Sequence, residues 1–124
     1  MTAASEPLRV AIIGTGSISQ AHYDGYRAAG ANVVALCDVN PVQLAARATA
    51  WGVDRTYSDF GELFAAGDID AVSIAAPTSV HHPATLAAAA AGAHVLVEKP
   101  LALDLALADE MIEVCREAGV HRRC

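Results

Sequence analysis

"RVAIIGTGSISQAH", residues 9–22, decides how the rest of the chain is read. An apolar run of strand character meets two glycines, and a polar stretch suited to a helix follows them. Gly14, Gly16 and Ser19 stand in a GxGxxS spacing. In such a strand–turn–helix the first glycine allows the tight turn and the second lets the backbone approach a pyrophosphate. The third position takes a small residue so that helix and strand can pack, and here it is Ser19 rather than glycine or alanine. The amides of Ser17 and Ile18 are then expected to point at a phosphate from the helix N-terminus, where the dipole favours negative charge. An ordinary glycine turn is the alternative reading of this spacing.

Outward from this loop, apolar runs rich in Val, Ile and Leu alternate with longer alanine-rich segments punctuated by glycine, the pattern of repeated βαβ units. Strands are expected at Leu8–Ile13, Asn32–Cys37, near Arg55–Tyr57, Ala71–Ala75 and His94–Val97. They are short and apolar on both faces, as strands covered by helices on two sides should be. Asn40 and Pro41 read as an N-cap and an N1 proline for a helix running to about Trp51 and stopping at Gly52. Ser58 is a candidate N-cap for a short helix ending near Gly67. Pro83 is expected to open an alanine helix ending at Gly92, and Asp104 to cap a last helix ending at Gly119. Right-handed crossovers place the first strand in the centre, the second and third on one side and the fourth and fifth on the other. The fold class is α/β, a Rossmann-type doubly wound parallel sheet. It forms a single domain over residues 1–124, with 1–7 as a flexible N-terminus and 120–124 as a tail. "VHRRC", residues 120–124, reads as too short and too charged for a sixth buried strand, which would leave the fifth as an exposed apolar edge open to self-association.

Asp38 lies at the end of the second strand, about 20 residues past the glycines, where a carboxylate accepts the ribose 2′-OH of NAD and repels the 2′-phosphate of NADP. Val39 and Asn40 follow it rather than an arginine, so NAD is favoured over NADP. A polar strand terminus is the plainer reading of the same residue.

The composition narrows the remaining classes. A formal net charge of −6, with arginines scattered except for Arg122 and Arg123, argues against a nucleic-acid partner, which needs a clustered basic surface. No stretch reaches the ~18 to 20 apolar residues that a bilayer span needs. The start, "MTAASEPLRV", lacks a basic region followed by an apolar one and a cleavage site, so the chain reads as cytoplasmic. Cys37, Cys115 and Cys124 show no CxxC spacing, which indicates neither a disulfide framework nor a zinc site, and Cys37 reads as a small core residue. His81 and His82 are adjacent and lack partners at ligand spacing, so no metal is expected.

Lys99 is the only lysine of the chain, against seven arginines, and it follows the apolar strand "HVLV" between Glu98 and Pro100. A lysine at the carboxyl end of a parallel strand sits in the crevice where open α/β sheets bind ligands. Partial desolvation there can shift a lysine pKa downward, and the amine can then hydrogen-bond a substrate hydroxyl and help its proton leave as hydride moves. A lysine snorkelling from a strand end is the alternative.

"GTGSISQAH", "CDVNP", "AAPTSVHHPATLAAAAAGAHVLVEKPLAL" and the final "AGV" together resemble the N-terminal half of the Gfo/Idh/MocA oxidoreductases, over residues 8–120. The most specific element is "EKP" after "GAHVLV". The resemblance implies that Gly14, Thr15, Gly16, Ser17 and Ile18 form the pyrophosphate loop and that Asp38 reads the adenosine ribose. It also implies that Pro77, Thr78 and His81 lie beside the nicotinamide ribose, and that Glu98 and Lys99 face the nicotinamide and the substrate hydroxyl, with Lys99 catalytic. His22 matches a family position that looks structural. Family members continue into a large C-terminal α/β domain that supplies the rest of the catalytic group. On this resemblance the chain is the nicotinamide-dinucleotide-binding part of a sugar or polyol dehydrogenase, incomplete as a catalyst without that domain. A non-catalytic NAD-binding or redox-sensing module acting through a partner, and a Rossmann-like domain that binds no dinucleotide, are the alternatives.

Overall fold

The computed structural model describes residues 7–97 and 105–123. Its elements, in chain order, are β1 (Arg9–Ile13), α1 (Ser19–Ala28), β2 (Asn32–Cys37), α2 (Pro41–Trp51), β3 (Arg55–Tyr57) and α3 (Phe60–Ala65). They continue with β4 (Ala71–Ile74), α4 (Thr78–Ala90), β5 (His94–Val97), α5 (Leu105–Ala118) and β6 (Arg122–Arg123). The strands form one parallel sheet in the order β3-β2-β1-β4-β5-β6. β1 is central as the crossover argument requires: the chain winds from β1 to β2 and β3 on one side, then crosses back through α3 to β4 on the other. That reversal opens a crevice at the carboxyl ends of β1 and β4.

Alternation along each strand sends its apolar side chains to two separate cores. Ala11, Ile13, Val72 and Ile74 pack with Leu63 of α3, Ala84 and Ala88 of α4 and Met111 of α5. On the other face Ile12 and Leu36 pack with Leu44 of α2, and Tyr23 and Tyr26 of α1 lie against them. Burial of a side chain such as Leu36 or Leu63 contributes roughly 1.5 to 3 kcal/mol, so both layers are needed to hold the sheet.

The helix signals are partly as read and partly overridden. Asn40 caps α2, its side chain accepting from the N–H groups of Val42 and Gln43, and Gly52 ends the helix at φ 68°. For α3 the cap is Asp59 rather than Ser58, because its carboxylate reaches the Gly61 N–H. β1 starts at Arg9, although the Leu8 carbonyl still accepts from the Asn32 N–H at 2.8 Å, and β4 ends at Ile74, although the Ala75 N–H still donates to the Ile13 carbonyl at 2.7 Å. The cap expected at Asp104 lies outside the described residues.

Two differences matter for the site. α4 begins at Thr78, and Pro83 lies inside it. An interior proline costs about 3 kcal/mol, and here burial of Ala84, Thr85, Ala88 and Ala89 against the sheet and neighbouring helices opposes that cost. The consequence is a helix N-terminus at the carboxyl end of β4. Residues 122–123, expected in a tail, form β6 and pair with Val95 and Leu96. Strand pairing uses the backbone, so the charge of the arginines does not prevent it at a sheet edge. β5 is therefore not the edge of the sheet, and the expectation of self-association through it loses its premise.

Thr85 is wholly buried in α4 and its hydroxyl finds no hydrogen-bond partner among the described residues. Thr85→Val keeps the shape and removes the unpaired group, so stability should rise by about 1 kcal/mol. A higher urea midpoint at unchanged slope is the expected result, and a lower midpoint would refute the assignment.

Candidate functional site

The site is built from the carboxyl ends of β1, β2 and β4. Gly14 turns the chain out of β1 at φ 97°, and its N–H donates to the Cys37 carbonyl at 2.8 Å. A Cβ on Gly14 would lie 2.6 Å from both Ala75 C and Ala76 N, so a side chain is excluded by the backbone that follows β4. Thr15 is buried, and both its N–H and its Oγ1–H donate to Asp38 Oδ2, at 2.8 and 2.6 Å. Asp38 Oδ1 accepts from the Asn40 N–H at 2.9 Å. Burial alone would raise the Asp38 pKa. The hydrogen bonds from the Thr15 hydroxyl and from the N–H groups of Asn40, Thr15 and Val39 outweigh it and hold the carboxyl below its ordinary value.

The next three residues form the exposed part of the loop. Ser19 is buried, and its N–H and hydroxyl both donate to the Gly16 carbonyl, which satisfies the small third position of the motif and starts α1. The N–H groups of Gly16, Ser17 and Ile18 meet no acceptor among the described residues, and Ser17 and Ile18 are exposed. Nothing lies within 4 Å of where a Gly16 Cβ would stand. Three donors without an acceptor among the described residues, gathered at a helix N-terminus, fit a phosphate group. Gly14 and Thr15, also expected in the pyrophosphate loop, use their N–H groups within the protein and shape the loop from behind.

The loop borders a cleft of about 380 Å³, lined among others by Asp38 and Val39 on the β2 side and by Pro77 and Val80 on the β4 side. That volume lies in the usual range for small-ligand pockets. Val39 is 86% exposed and offers an apolar surface beside the carboxylate. Cys37 lines the same corner as a nearly buried residue. Its thiol is pushed up to about 12 by burial and by the negative charges of Asp59, Asp38 and Glu62. Three carboxylates thus give this end of the cleft a negative field.

On the β4 side, Pro77 precedes α4 and its carbonyl accepts from the Val80 N–H. Thr78 is the first residue of that helix. His81 is 1% exposed, and its Nε2 donates to the Ala76 carbonyl at 2.9 Å, so it supports the turn from below. His22 lies 2.9 Å from the Ser73 hydroxyl through Nδ1 and ties α1 to β4, in keeping with a structural position. His82 pairs with Glu110 at 2.6 Å, joining α4 to α5. Glu98 and Lys99 lie outside the described residues.

One contributor was not anticipated from the sequence. Arg47 of α2 donates from Nε to the Thr15 carbonyl at 3.2 Å, from Nη2 to the Gly16 carbonyl at 3.3 Å and from Nη1 to Gln20 Oε1 at 2.9 Å. The available signal was its spacing, three residues after Leu44 and four before Trp51, at the margin of the helix face that packs on the sheet.

A sequence model described as an oxidoreductase family with an NAD-binding Rossmann fold, the Gfo/Idh/MocA group, matches residues 8–122. The chain belongs to the Gfo/Idh/MocA oxidoreductase family. It is 39% identical over 111 residues to the D-apiose dehydrogenase of Paraburkholderia graminis, covering 89% of this chain and 30% of that protein. It is 35% identical to the myo-inositol 2-dehydrogenase of Thermotoga maritima, covering 91% of this chain and 34% of that one. Among solved structures it resembles the WlbA dehydrogenase of Bordetella pertussis in complex with NADH and UDP-GlcNAcA. That match has a TM-score of 0.89 at 34% identity over 94% of this chain and 36% of the other. The chain therefore spans about a third of the length of these Gfo/Idh/MocA relatives. As a family member it is an NAD-binding Rossmann domain. No helix among its described residues is long and apolar enough to cross a membrane.

Proposed function

We propose that this domain binds NAD(H) in preference to NADP(H), and serves a dehydrogenase that moves hydride between that cofactor and a hydroxyl of a sugar, polyol or related small molecule. The observation that carries the reading is the pairing of three loop N–H groups that meet no acceptor among the described residues with an ionised Asp38 at the end of β2. The loop would hold the pyrophosphate and Asp38 the adenosine ribose, and the negative field around Cys37 would oppose a 2′-phosphate. Pro77 and Thr78, with His81 beneath them, would flank the nicotinamide ribose. Bound NAD supplies the hydride acceptor. Glu98 and Lys99 would face the reacting end, with Lys99 donating to the substrate hydroxyl and easing departure of its proton. The substrate class is supported by the apiose and inositol dehydrogenases among the relatives. Completion of the catalytic group would fall to the C-terminal domain implied by the family resemblance.

Calorimetric titration of the 124-residue chain with NADH and, separately, NADPH tests the reading. Saturable NADH binding, with NADPH at least about tenfold weaker, is the expected result. A folded chain that binds neither nucleotide would reduce the glycine loop to architecture.

A further inference from the structure

Fixing one side of a planar trans peptide fixes the other, because its C=O and N–H point in opposite directions. The Thr15 carbonyl shares a peptide with the Gly16 N–H, and the Gly16 carbonyl shares one with the Ser17 N–H. These are two of the three loop donors that meet no acceptor among the described residues. Arg47 hydrogen-bonds both of those carbonyls, at 3.2 and 3.3 Å, and reaches Gln20 in the first turn of α1 at 2.9 Å. A cationic donor on a carbonyl also polarises that peptide and strengthens its N–H as a donor. The guanidinium is itself held in place. It lies over the Trp51 ring, 5.3 Å from the centroid, and Trp51 stacks on Tyr23 at 4.3 Å with 2° between the planes. Among the described residues no carboxylate forms an ion pair with it.

We propose that Arg47 is a positioning residue for the phosphate loop: its three-pronged contact aims and polarises the Gly16 and Ser17 amides toward the cofactor pyrophosphate. The proposal rests on the dinucleotide reading above. Arg47 acts from the carbonyl side of the loop, opposite the donors. The fork geometry is essential, since it spans two consecutive carbonyls and a side-chain amide at once, which a single ammonium cannot do. Asp38 grips Thr15 through its N–H and hydroxyl while Arg47 grips its carbonyl, so the residue between the two glycines is clamped from both sides.

The test compares the wild-type 124-residue chain with Arg47→Met and Arg47→Lys for binding of NADH, ADP and adenosine, with a thermal melt of each protein. Adenosine presents the ribose to Asp38 but carries no phosphate. Arg47→Met should weaken NADH and ADP about tenfold while adenosine changes by less than about twofold, and Arg47→Lys should recover little of the loss. Should the Met variant fail to fold, the Lys variant carries the comparison. Unchanged NADH binding, an equal loss for adenosine, or full recovery by lysine would each overturn the proposal, the last by reducing it to charge near the phosphates. Absence of NADH binding by the wild-type chain overturns the dinucleotide reading itself, and is distinguishable because it needs no variant.

Discussion

Gly14→Ala is expected to lower stability by about 2 to 5 kcal/mol, while Gly16→Ala leaves stability within about 0.5 kcal/mol and abolishes detectable NADH binding. The two glycines lie two residues apart and fail for different reasons. At Gly14 the backbone has φ 97°, which costs an L-residue about 1 to 2 kcal/mol. The added methyl would also stand 2.6 Å from the backbone of Ala75 and Ala76, so the end of β4 must shift at a further cost of about 1 to 3 kcal/mol. At Gly16 neither penalty applies, since φ is ordinary and no atom lies within 4 Å of the new Cβ. The methyl would instead enter the space where a phosphate approaches the free N–H groups. Urea denaturation and NADH titration of both variants separate the cases. Equal stability losses would show that the loop does not distinguish a packing glycine from a binding glycine, and a Gly16→Ala protein with wild-type affinity would remove the phosphate from this position.

Asp38→Ala is expected to weaken NADH about 100-fold and to narrow the preference for NADH over NADPH. It removes a charged acceptor from the ribose and, in the same step, the anchor of the Thr15 N–H and hydroxyl. Asp38→Asn serves as the shape-preserving control, because it removes the charge but keeps one acceptor oxygen. It should cost affinity less and still relax the discrimination against NADPH. The pH dependence follows from the direction of the shift. The folded carboxyl titrates below the ordinary 3.8, so its contribution to stability is present above that value and is lost as pH falls through the lower folded value. NADH affinity attributable to this group should therefore be flat across the neutral range and fall only in strong acid. A decline between pH 8 and pH 6 that vanished in Asp38→Asn would contradict the assignment.

Much of this was readable along the chain because the deciding signals are local. A strand, a glycine turn and a helix follow one another within residues 9–28, and Asp38 and Asn40 mark where β2 ends and α2 starts. The right-handed rule for crossovers then placed five strands without any knowledge of contacts. Local rules failed where two of them competed. Pro83 reads as a helix start because proline favours N1, yet the chain is already helical from Thr78, where packing opposes the cost of an interior proline. Ser58 is the cap expected from the sequence, and the geometry of the turn selects Asp59 instead, whose carboxylate reaches the Gly61 N–H.

By itself, then, the sequence determined the α/β class, the central position of β1, the glycine loop and the carboxylate beside it. Each of these is written in spacing over a few residues or in the alternation of apolar runs. Tertiary structure alone decided that Thr15 is clamped rather than presented, that His81 lies beneath its turn, that β6 closes over β5, and that Arg47 supports the loop. Arg47 reaches carbonyls 31 and 32 residues away, and a side chain bonded to a distant backbone leaves no period or motif in the sequence. That contact exists because the sheet sets α1 and α2 side by side on one face, and it therefore depends on the completed fold.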